Sequence, residues 1–224
     1  MPAAIQHTRY SADSTDSSPF QRIADETLTC VEHSLKSAIR PVASTKFSPD
    51  SAVFLHMLTR ISPDIPIVWV DTGYNTRDTL LFATHLTETL GLNLITFRPA
   101  NAQSMEIPEI GTPAHDAFTF TMKLEPFQRA FKELQPDLWL SSLRRFQSSH
   151  RDKLSARETI SPGLVKSYPM LEWSADAVEL YRQKHALPSG PDVYDPTKGL
   201  PQRECGLHTR RWCATDSTIA QVAS

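Results

Sequence analysis

The chain has 224 residues, of which 40% are hydrophobic and 21% are charged. These fractions are typical of a globular protein and exclude a disordered or fibrous chain. With 23 basic and 25 acidic side chains the formal net charge is -2, so bulk attraction to nucleic acid or to an anionic membrane is not expected, and any binding of an anion must be local.

The sequence has no pattern of a membrane span, a signal peptide or paired cysteines, and these absences bear on the compartment of the protein and the redox state of its thiols. No run approaches the roughly 18 apolar residues of a membrane span, and residues 1–20 lack the apolar centre of a signal peptide. We therefore expect a cytoplasmic protein. The cysteines are Cys30, Cys205 and Cys213, without a CxxC pair, which fits neither a disulfide framework nor a zinc or iron–sulfur site. We expect no bound metal or cofactor and one reactive thiol.

The predicted elements alternate between helix and strand after a polar lead-in. Residues 1–20 are rich in Ser, Thr, Asp and Ala without apolar periodicity, and we expect them to be flexible. Apolar spacing and breakers such as Pro41 and Gly91 predict, in chain order, helix 20–39, a short strand before residue 44, helix 53–61, strand 65–70, helix 76–90, strand 92–97, helix 124–134, strand 138–142 and helix 175–185.

The order of these elements predicts the fold class. Strands that are apolar throughout and separated by helices imply a doubly wound, mainly parallel α/β sheet with helices on both faces. We assign this nucleotide-binding domain to residues 21–187 and a C-terminal tail to residues 188–224. Ligands of such sheets lie beyond the carboxyl ends of the strands, so the polar residues that follow each strand are candidates for the site.

Two predicted strand ends are followed by polar clusters. Strand 65–70 leads into Asp71, Thr72 and Gly73, for which the alternative interpretation is a simple turn. Strand 138–142 leads into a loop with three arginines, whose forked guanidinium groups suit phosphate or sulfate oxygens. The alternative for this loop is a solvated basic surface. Its candidate ligands are Arg144, Arg145, Gln147, Ser148 and Arg151.

A further polar loop precedes helix 53–61. Ser44, Thr45 and Ser48 could supply hydroxyl groups to a phosphate, together with backbone N–H groups at the start of the helix. The loop lacks the Gly-Lys-Ser/Thr ending of an ordinary P-loop. Lys123, just before helix 124–134, is a candidate anion ligand, and the alternative is a surface lysine.

The most specific signal is the segment Arg-Glu-Cys-Gly-Leu-His at residues 203–208. Arg203 and His208 flank the thiol of Cys205, and cationic neighbours lower the pKa of a thiol toward the nucleophilic thiolate. The segment lies in a tail with Pro and Gly, where burial is not expected. Cys30, on the apolar face of the first helix, and Cys213 are interpreted as structural or incidental.

Four segments together resemble the phosphoadenylyl-sulfate and adenylyl-sulfate reductases, a branch of the adenine nucleotide α-hydrolase-like superfamily. The resemblance runs from about residue 44 to residue 208. The matching segments are ISPDIPIVWVDTGYNTRDT with the family's Asp-Thr-Gly-Tyr turn, MKLEPFQRAFKEL with the family's substrate-contacting lysine, LRRFQSSHR with its Leu-Arg-Arg-x-Gln-Ser loop, and RECGLH with its cysteine-bearing tail.

The resemblance implies a two-step reduction of a sulfonucleotide in assimilatory sulfate reduction. The Cys205 thiolate attacks the sulfur to give an S-sulfocysteine, and a thioredoxin or glutaredoxin dithiol then releases sulfite. The family's iron–sulfur members carry a Cys-Cys pair before the lysine, whereas residues 120–122 here read Phe-Thr-Met. This indicates the cluster-free type, which usually takes the 3'-phosphorylated nucleotide, and a homodimer is compatible with it.

The sequence also departs from the family pattern, and two alternative functions follow. The phosphate loop, usually Ser-Phe-Gly, reads Lys-Phe-Ser-Pro at residues 46–49, Phe146 replaces a glutamate, and the stretch between Leu187 and Pro201 is short. The alternatives are a cluster-free adenylyl-sulfate reductase and a nucleotide-binding relative that has lost turnover.

Overall fold

A computed structural model of the chain describes residues 19–100, 105–147 and 149–199. The α-helices are α1 Pro19–Lys36, α2 Ser51–Ile61, α3 Arg77–Leu90, α4 Pro113–Thr119, α5 Glu125–Leu134 and α6 Ala175–Lys184. The strands are β1 Pro41–Thr45, β2 Ile67–Val70, β3 Leu94–Phe97, β4 Leu138–Ser141, β5 Arg157–Ser161 and β6 Leu164–Ser167. A π-helical turn, Phe120–Leu124, joins α4 to α5.

The six strands form one sheet in the order β3-β2-β1-β4-β6-β5. All neighbours are parallel except β5 and β6, which are antiparallel. The predicted doubly wound, mainly parallel fold is therefore confirmed. In the register, Ser44 of β1 lies opposite Val68 of β2 and Ser141 of β4, which brings three strand ends to one edge of the sheet.

Both faces of the sheet are covered, as the apolar strands predicted. In β1, Ala43 packs into a large core with residues of α1, α2, α3 and α6, while Val42 packs on the other face against α5. The second core contains Phe127 and Phe131 of α5 around Trp139 of β4, which is fully buried. Because the helices fix the sheet from both sides, the loops at its carboxyl edge stand on rigid supports.

Local chemistry explains where the elements end. The Thr76 hydroxyl accepts a hydrogen bond from the backbone N–H of Thr79 and caps α3, which ends at Gly91 with a φ of 61°. The first helix ends at Lys36, earlier than expected, because the carboxylate of Asp137 accepts the backbone N–H groups of Ile39 and Arg40 at 2.7 and 2.9 Å. Those two residues are thereby directed into β1.

The sequence prediction lacked α4 and the β5–β6 hairpin. The hairpin strands read Arg-Glu-Thr-Ile-Ser and Leu-Val-Lys-Ser, without the apolar run of the central strands, and Gly163 makes the turn with a φ of 82°. Helix α4 has seven residues, too few to show periodicity, and continues through the π-helical turn into α5. None of the helices in the described part of the chain is long and apolar enough to cross a membrane.

Candidate functional site

A cavity of about 280 Å³ lies at the carboxyl ends of β1, β2 and β4. It is next to the point where the chain changes its direction of winding, between β1 and β4, as expected for a doubly wound sheet. Seven predicted site residues line it, namely Ser44, Thr45, Ser48, Thr72, Lys123, Gln147 and Arg151. The polar lining residues absent from that predicted set are Lys46, Asp50, Asn75, Ser141, Ser142, Tyr194, Asp195 and Lys198.

The loop after β1 has a strained conformation. Phe47 has a φ of 52°, in the left-handed region that bulky side chains rarely adopt, and its side chain is fully buried. Its ring packs edge-on against Trp69 with the centroids 5.0 Å apart, and the backbone N–H of Phe47 donates to the Thr45 hydroxyl at 3.2 Å. Burial of the aromatic ring therefore holds the loop in place above the sheet.

The floor of the cavity is apolar, and the Ser44 hydroxyl beside it is held by a hydrogen bond. Val68, Val70 and Phe127, which pack on the same face of the sheet, line this part of the cavity, and Trp69 of the opposite face lines it as well. The buried indole of Trp139 donates its N–H to the Ser44 hydroxyl at 2.8 Å. Since this bond uses an acceptor position of the hydroxyl, the O–H of Ser44 can still donate to a ligand.

The predicted Asp71 turn supports the cavity from outside its lining. The Asp71 carboxylate accepts from Asn75 at 2.8 Å, from the backbone N–H of Gly73 at 3.2 Å and from Arg98 Nε at 2.9 Å. Burial favours the neutral carboxyl, but hydrogen bonds from Asn75 and Arg98 outweigh it and lower the pKa of Asp71. Gly73 has a φ of 81°, as this turn requires. Asp71 thus orders the loop that brings Thr72 to the cavity.

Lysines dominate the electrostatics of the cavity. Lys46, Lys123 and Lys198 all line it, and Lys123 forms an ion pair with Asp195. Burial and the positive charge of Lys123 lower the pKa of Lys46. Burial alone would raise the pKa of Asp195, but its charge interaction and hydrogen bond with Lys123 leave that pKa below its ordinary value. This side of the cavity suits an anion.

The three predicted arginines point in different directions. Arg144 is buried in an ion pair with Asp50, at the start of α2. Arg145 binds the Glu172 carboxylate through Nε at 3.1 Å and the carbonyl of Leu154 at 3.0 Å, outside the cavity lining. Arg151 lines the cavity and donates to the Gln147 side chain. The structure therefore brings Arg151 to the candidate site. Arg144 and Arg145 do not line the cavity and instead bind carboxylates of the surrounding segments.

Residues 188–199 pack against the domain, and four of them, Val193, Tyr194, Asp195 and Lys198, line the cavity. The carbonyl of Pro196 accepts from the buried ring of His115 and the carbonyl of Thr197 accepts from Thr119, both at 3.0 Å. The backbone N–H of Gly190 donates to the carbonyl of Pro49 at 3.3 Å, where a Cβ atom would lie 2.7 Å from the carbonyl oxygen of Ser48. This segment has no apolar periodicity, so the sequence alone does not predict that Asp195 and Lys198 line the cavity.

Four predicted site residues lie outside the described residues, namely Ser148, Arg203, Cys205 and His208. Cys30 is exposed on α1, so its predicted position on the apolar face of that helix is wrong; Ala24, Thr27, Val31 and Ser34 form the buried face. Across residues 19–100, 105–147 and 149–199 there is no group of three or more His, Cys, Asp or Glu side chains that could hold a metal ion.

Comparison with known proteins gives consistent matches. Residues 40–194 match the family model of the phosphoadenosine phosphosulfate reductase domain. The phosphoadenosine 5'-phosphosulfate reductase of Alkalilimnicola ehrlichii is 34% identical over 197 residues, 75% of this chain and 80% of that protein. The Xylella fastidiosa enzyme of the same name is 38% identical over 196 residues, 75% of this chain and 82% of that protein.

The fold is also found in a solved structure. The crystal structure of phosphoadenylyl-sulfate reductase from Candida auris, a phosphate complex, superposes with a TM-score of 0.65. The match covers 81% of this chain and 97% of that one at 19% sequence identity. At this identity the likeness shows the fold alone.

Proposed function

The chain belongs to the phosphoadenosine phosphosulfate reductase family, and we propose that it reduces 3'-phosphoadenylyl sulfate to sulfite and adenosine 3',5'-bisphosphate. The observation that carries the proposal is the lysine-lined cavity at the carboxyl ends of β1, β2 and β4. Hydroxyl groups, cations and an apolar floor meet there, which is the combination that a nucleotide with several anionic groups requires.

We assign the cavity's parts by their chemistry. The apolar floor around Val70 and Phe127 suits the adenine ring, and the cations Lys123 and Arg151 suit the phosphosulfate. The smaller polar groups of the lining are assigned to hydrogen bonding with the nucleotide, and these are Ser44, Thr45, Ser48, Thr72 and Gln147. Ser148, which lies outside the described residues, is assigned the same role from the resemblance of its loop to the family. Asp71, Gly73, Arg144 and Arg145 are assigned to holding the surrounding loops in place.

We assign the chemical step to Cys205. Its thiolate attacks the sulfur, forms a bond between the two sulfur atoms and breaks the bond between sulfur and the phosphate oxygen. The nucleotide leaves with the electron pair of that bond, and the cations Lys123 and Arg151 stabilise the charge that develops on the phosphate. Arg203 and His208 favour the thiolate form of Cys205 in this proposal.

The second step requires a reductant from outside the chain. A thioredoxin or glutaredoxin dithiol attacks the S-sulfocysteine, releases sulfite and supplies two electrons as it is oxidised to a disulfide. We propose that the protein works with this partner in the cytoplasm and binds no cofactor of its own. A homodimer is compatible with the proposal.

The decisive experiment is sulfite release from each nucleotide with thioredoxin as the reductant. We expect release from 3'-phosphoadenylyl sulfate, and faster release from adenylyl sulfate would favour the alternative substrate. Cys205→Ser should abolish sulfite release while nucleotide binding survives, because a hydroxyl is a far weaker nucleophile than a thiolate. Cys30→Ser is the matched control and should stay within a few-fold of the wild-type rate. Binding of both nucleotides without release of sulfite would indicate a relative that has lost turnover.

A further inference from the structure

One acidic side chain lies among the lysines of the cavity. Asp195 comes from the segment that follows α6, and its carboxylate forms a direct ion pair with Lys123 in the cavity lining. The two side chains are only 17% and 13% exposed. The other acidic group in the lining, Asp50, is paired with Arg144, so Asp195 is the acidic side chain that faces the lysines within the described lining.

The charges around Asp195 resemble those that a bound anion would need. Lys46, Lys123 and Lys198 line the same cavity. The positive charges of Lys123 and Lys46 help to keep the pKa of Asp195 below its ordinary value against the effect of burial, so its carboxylate is ionised at neutral pH. A substrate phosphate or sulfate that approached Lys123 would therefore meet a negative charge already in place.

The two oxygens of the carboxylate have different partners. One oxygen, Oδ1, accepts the backbone N–H of Thr197 at 3.1 Å and the Thr197 hydroxyl at 2.5 Å, within the same short turn. The other, Oδ2, accepts from Lys123. The turn is itself held to the domain by bonds from His115 and Thr119 to backbone carbonyls. The contact with Lys123 can therefore break while the turn stays bound to the domain.

We infer that Asp195 is an internal competitor, whose carboxylate occupies on Lys123 the place that an anionic group of the ligand takes. A carboxylate carries one negative charge, whereas sulfate or a phosphate ester carries up to two and can engage several lysines at once. Asp195 thereby lowers the affinity of the cavity for weakly charged anions. The inference rests on the proposed function for the anionic character of the ligand.

The test is binding of inorganic sulfate to the full chain, measured by calorimetry. Asp195→Asn removes the competing charge and should lower the Kd for sulfate about tenfold, and Asp195→Glu, which keeps the charge, should stay within about threefold of wild type. Asp192→Asn is the matched control, because Asp192 is exposed in the same segment and does not line the cavity. It should leave the Kd unchanged.

A purely structural role for Asp195 predicts the opposite result. Loss of the ion pair would then misplace Lys123, and Asp195→Asn would bind sulfate as weakly as wild type or more weakly, which would overturn the inference. If that variant does not fold, Asp195→Ser, whose hydroxyl can still accept from the Thr197 N–H, is held to the same criterion. Because sulfate binding needs no turnover, a failure of the reductase assay would leave this measurement intact.

Discussion

The buried ion pair between Arg144 and Asp50 should respond unequally to loss of its two partners. The side chain of Arg144 is 10% exposed and that of Asp50 is 34% exposed, and Arg144 Nε has no hydrogen-bond partner among the described residues. Asp50→Ala leaves a buried guanidinium unpaired, and we expect a loss of about 2–3 kcal/mol, which is below the roughly 3–5 kcal/mol of a fully buried pair because water already reaches Asp50. The side chain of Asp50 makes no capping bond to α2, so loss of a cap adds nothing to this figure.

Arg144→Met should cost less. It removes the buried charge and leaves a carboxylate that water can reach, so we expect a loss of about 1 kcal/mol from altered packing. The double variant should resemble Arg144→Met, because no charge is then left buried and unpaired. The free energy of unfolding in urea measures all three variants. At roughly 2–4 °C per kcal/mol, Asp50→Ala should also lower Tm by about 4–12 °C.

Two outcomes would refute this reasoning. One is a larger loss for Arg144→Met than for Asp50→Ala, and the other is simple addition of the two losses in the double variant. A direct contact between Arg144 and the ligand predicts a further pattern, in which Arg144→Lys keeps its stability but weakens sulfate binding on the order of tenfold. Stability and binding measured on the same variants separate a supporting role from a contact.

Three further predictions concern the loops and the core. Arg151→Lys should weaken nucleotide binding, measured by calorimetry, on the order of tenfold, and Arg145→Lys should weaken it less. A larger loss of binding in Arg145→Lys would place Arg145 in the site. The pKa of Asp137 is lowered, because its backbone hydrogen bonds outweigh the effect of burial. The ionised carboxylate therefore stabilises the fold above about pH 4, and this stabilisation is lost as the pH falls further. In a plot of the urea midpoint against pH, Asp137→Asn should reduce the slope on the acid side, and an unchanged slope would contradict this. Trp139→Phe and Trp173→Phe each remove the hydrogen bond of a buried indole and should each lower the free energy of unfolding by about 1–2 kcal/mol. Only Trp139→Phe should weaken nucleotide binding. Equal binding by both variants would exclude a role for the bond between Trp139 and Ser44.

The sequence could predict the central sheet because its signals are local. The apolar runs of β2 and β4 and the polar residues that follow them depend on neighbours in the chain, and two of those polar residues, Thr72 and Gln147, line the cavity. The polar residues at the end of β1 are also predicted from their neighbours in the chain. Its last residues, Ser44 and Thr45, line the cavity as expected.

The orientation of the arginines could not be predicted, because it depends on distant partners. Arg144 and Arg145 are adjacent and chemically identical, yet one pairs with Asp50, 94 residues away, and the other with Glu172, 27 residues away. Asp195 was missed for the same reason, since its partner Lys123 lies 72 residues earlier. A local pattern can show that a loop is basic, but the packing of the whole domain decides which side chain faces the cavity.

The phosphate loop of this chain differs from the usual pattern, and this difference bears on why a carboxylate of the protein itself, that of Asp195, lies in the site. A phosphate loop ordinarily binds through backbone N–H groups, which are fixed in direction. Here Pro49 has no N–H, that of Phe47 donates to the Thr45 hydroxyl, and that of Ser51 donates to the Ser48 carbonyl at 2.9 Å. Fewer backbone N–H groups of the loop are therefore available to a ligand, the lysines of the lining supply attraction as well, and an ammonium group distinguishes anions by charge more than by shape. A site built on charge therefore accepts Asp195 when no ligand is bound, and it favours the ligand with the greater negative charge when one arrives.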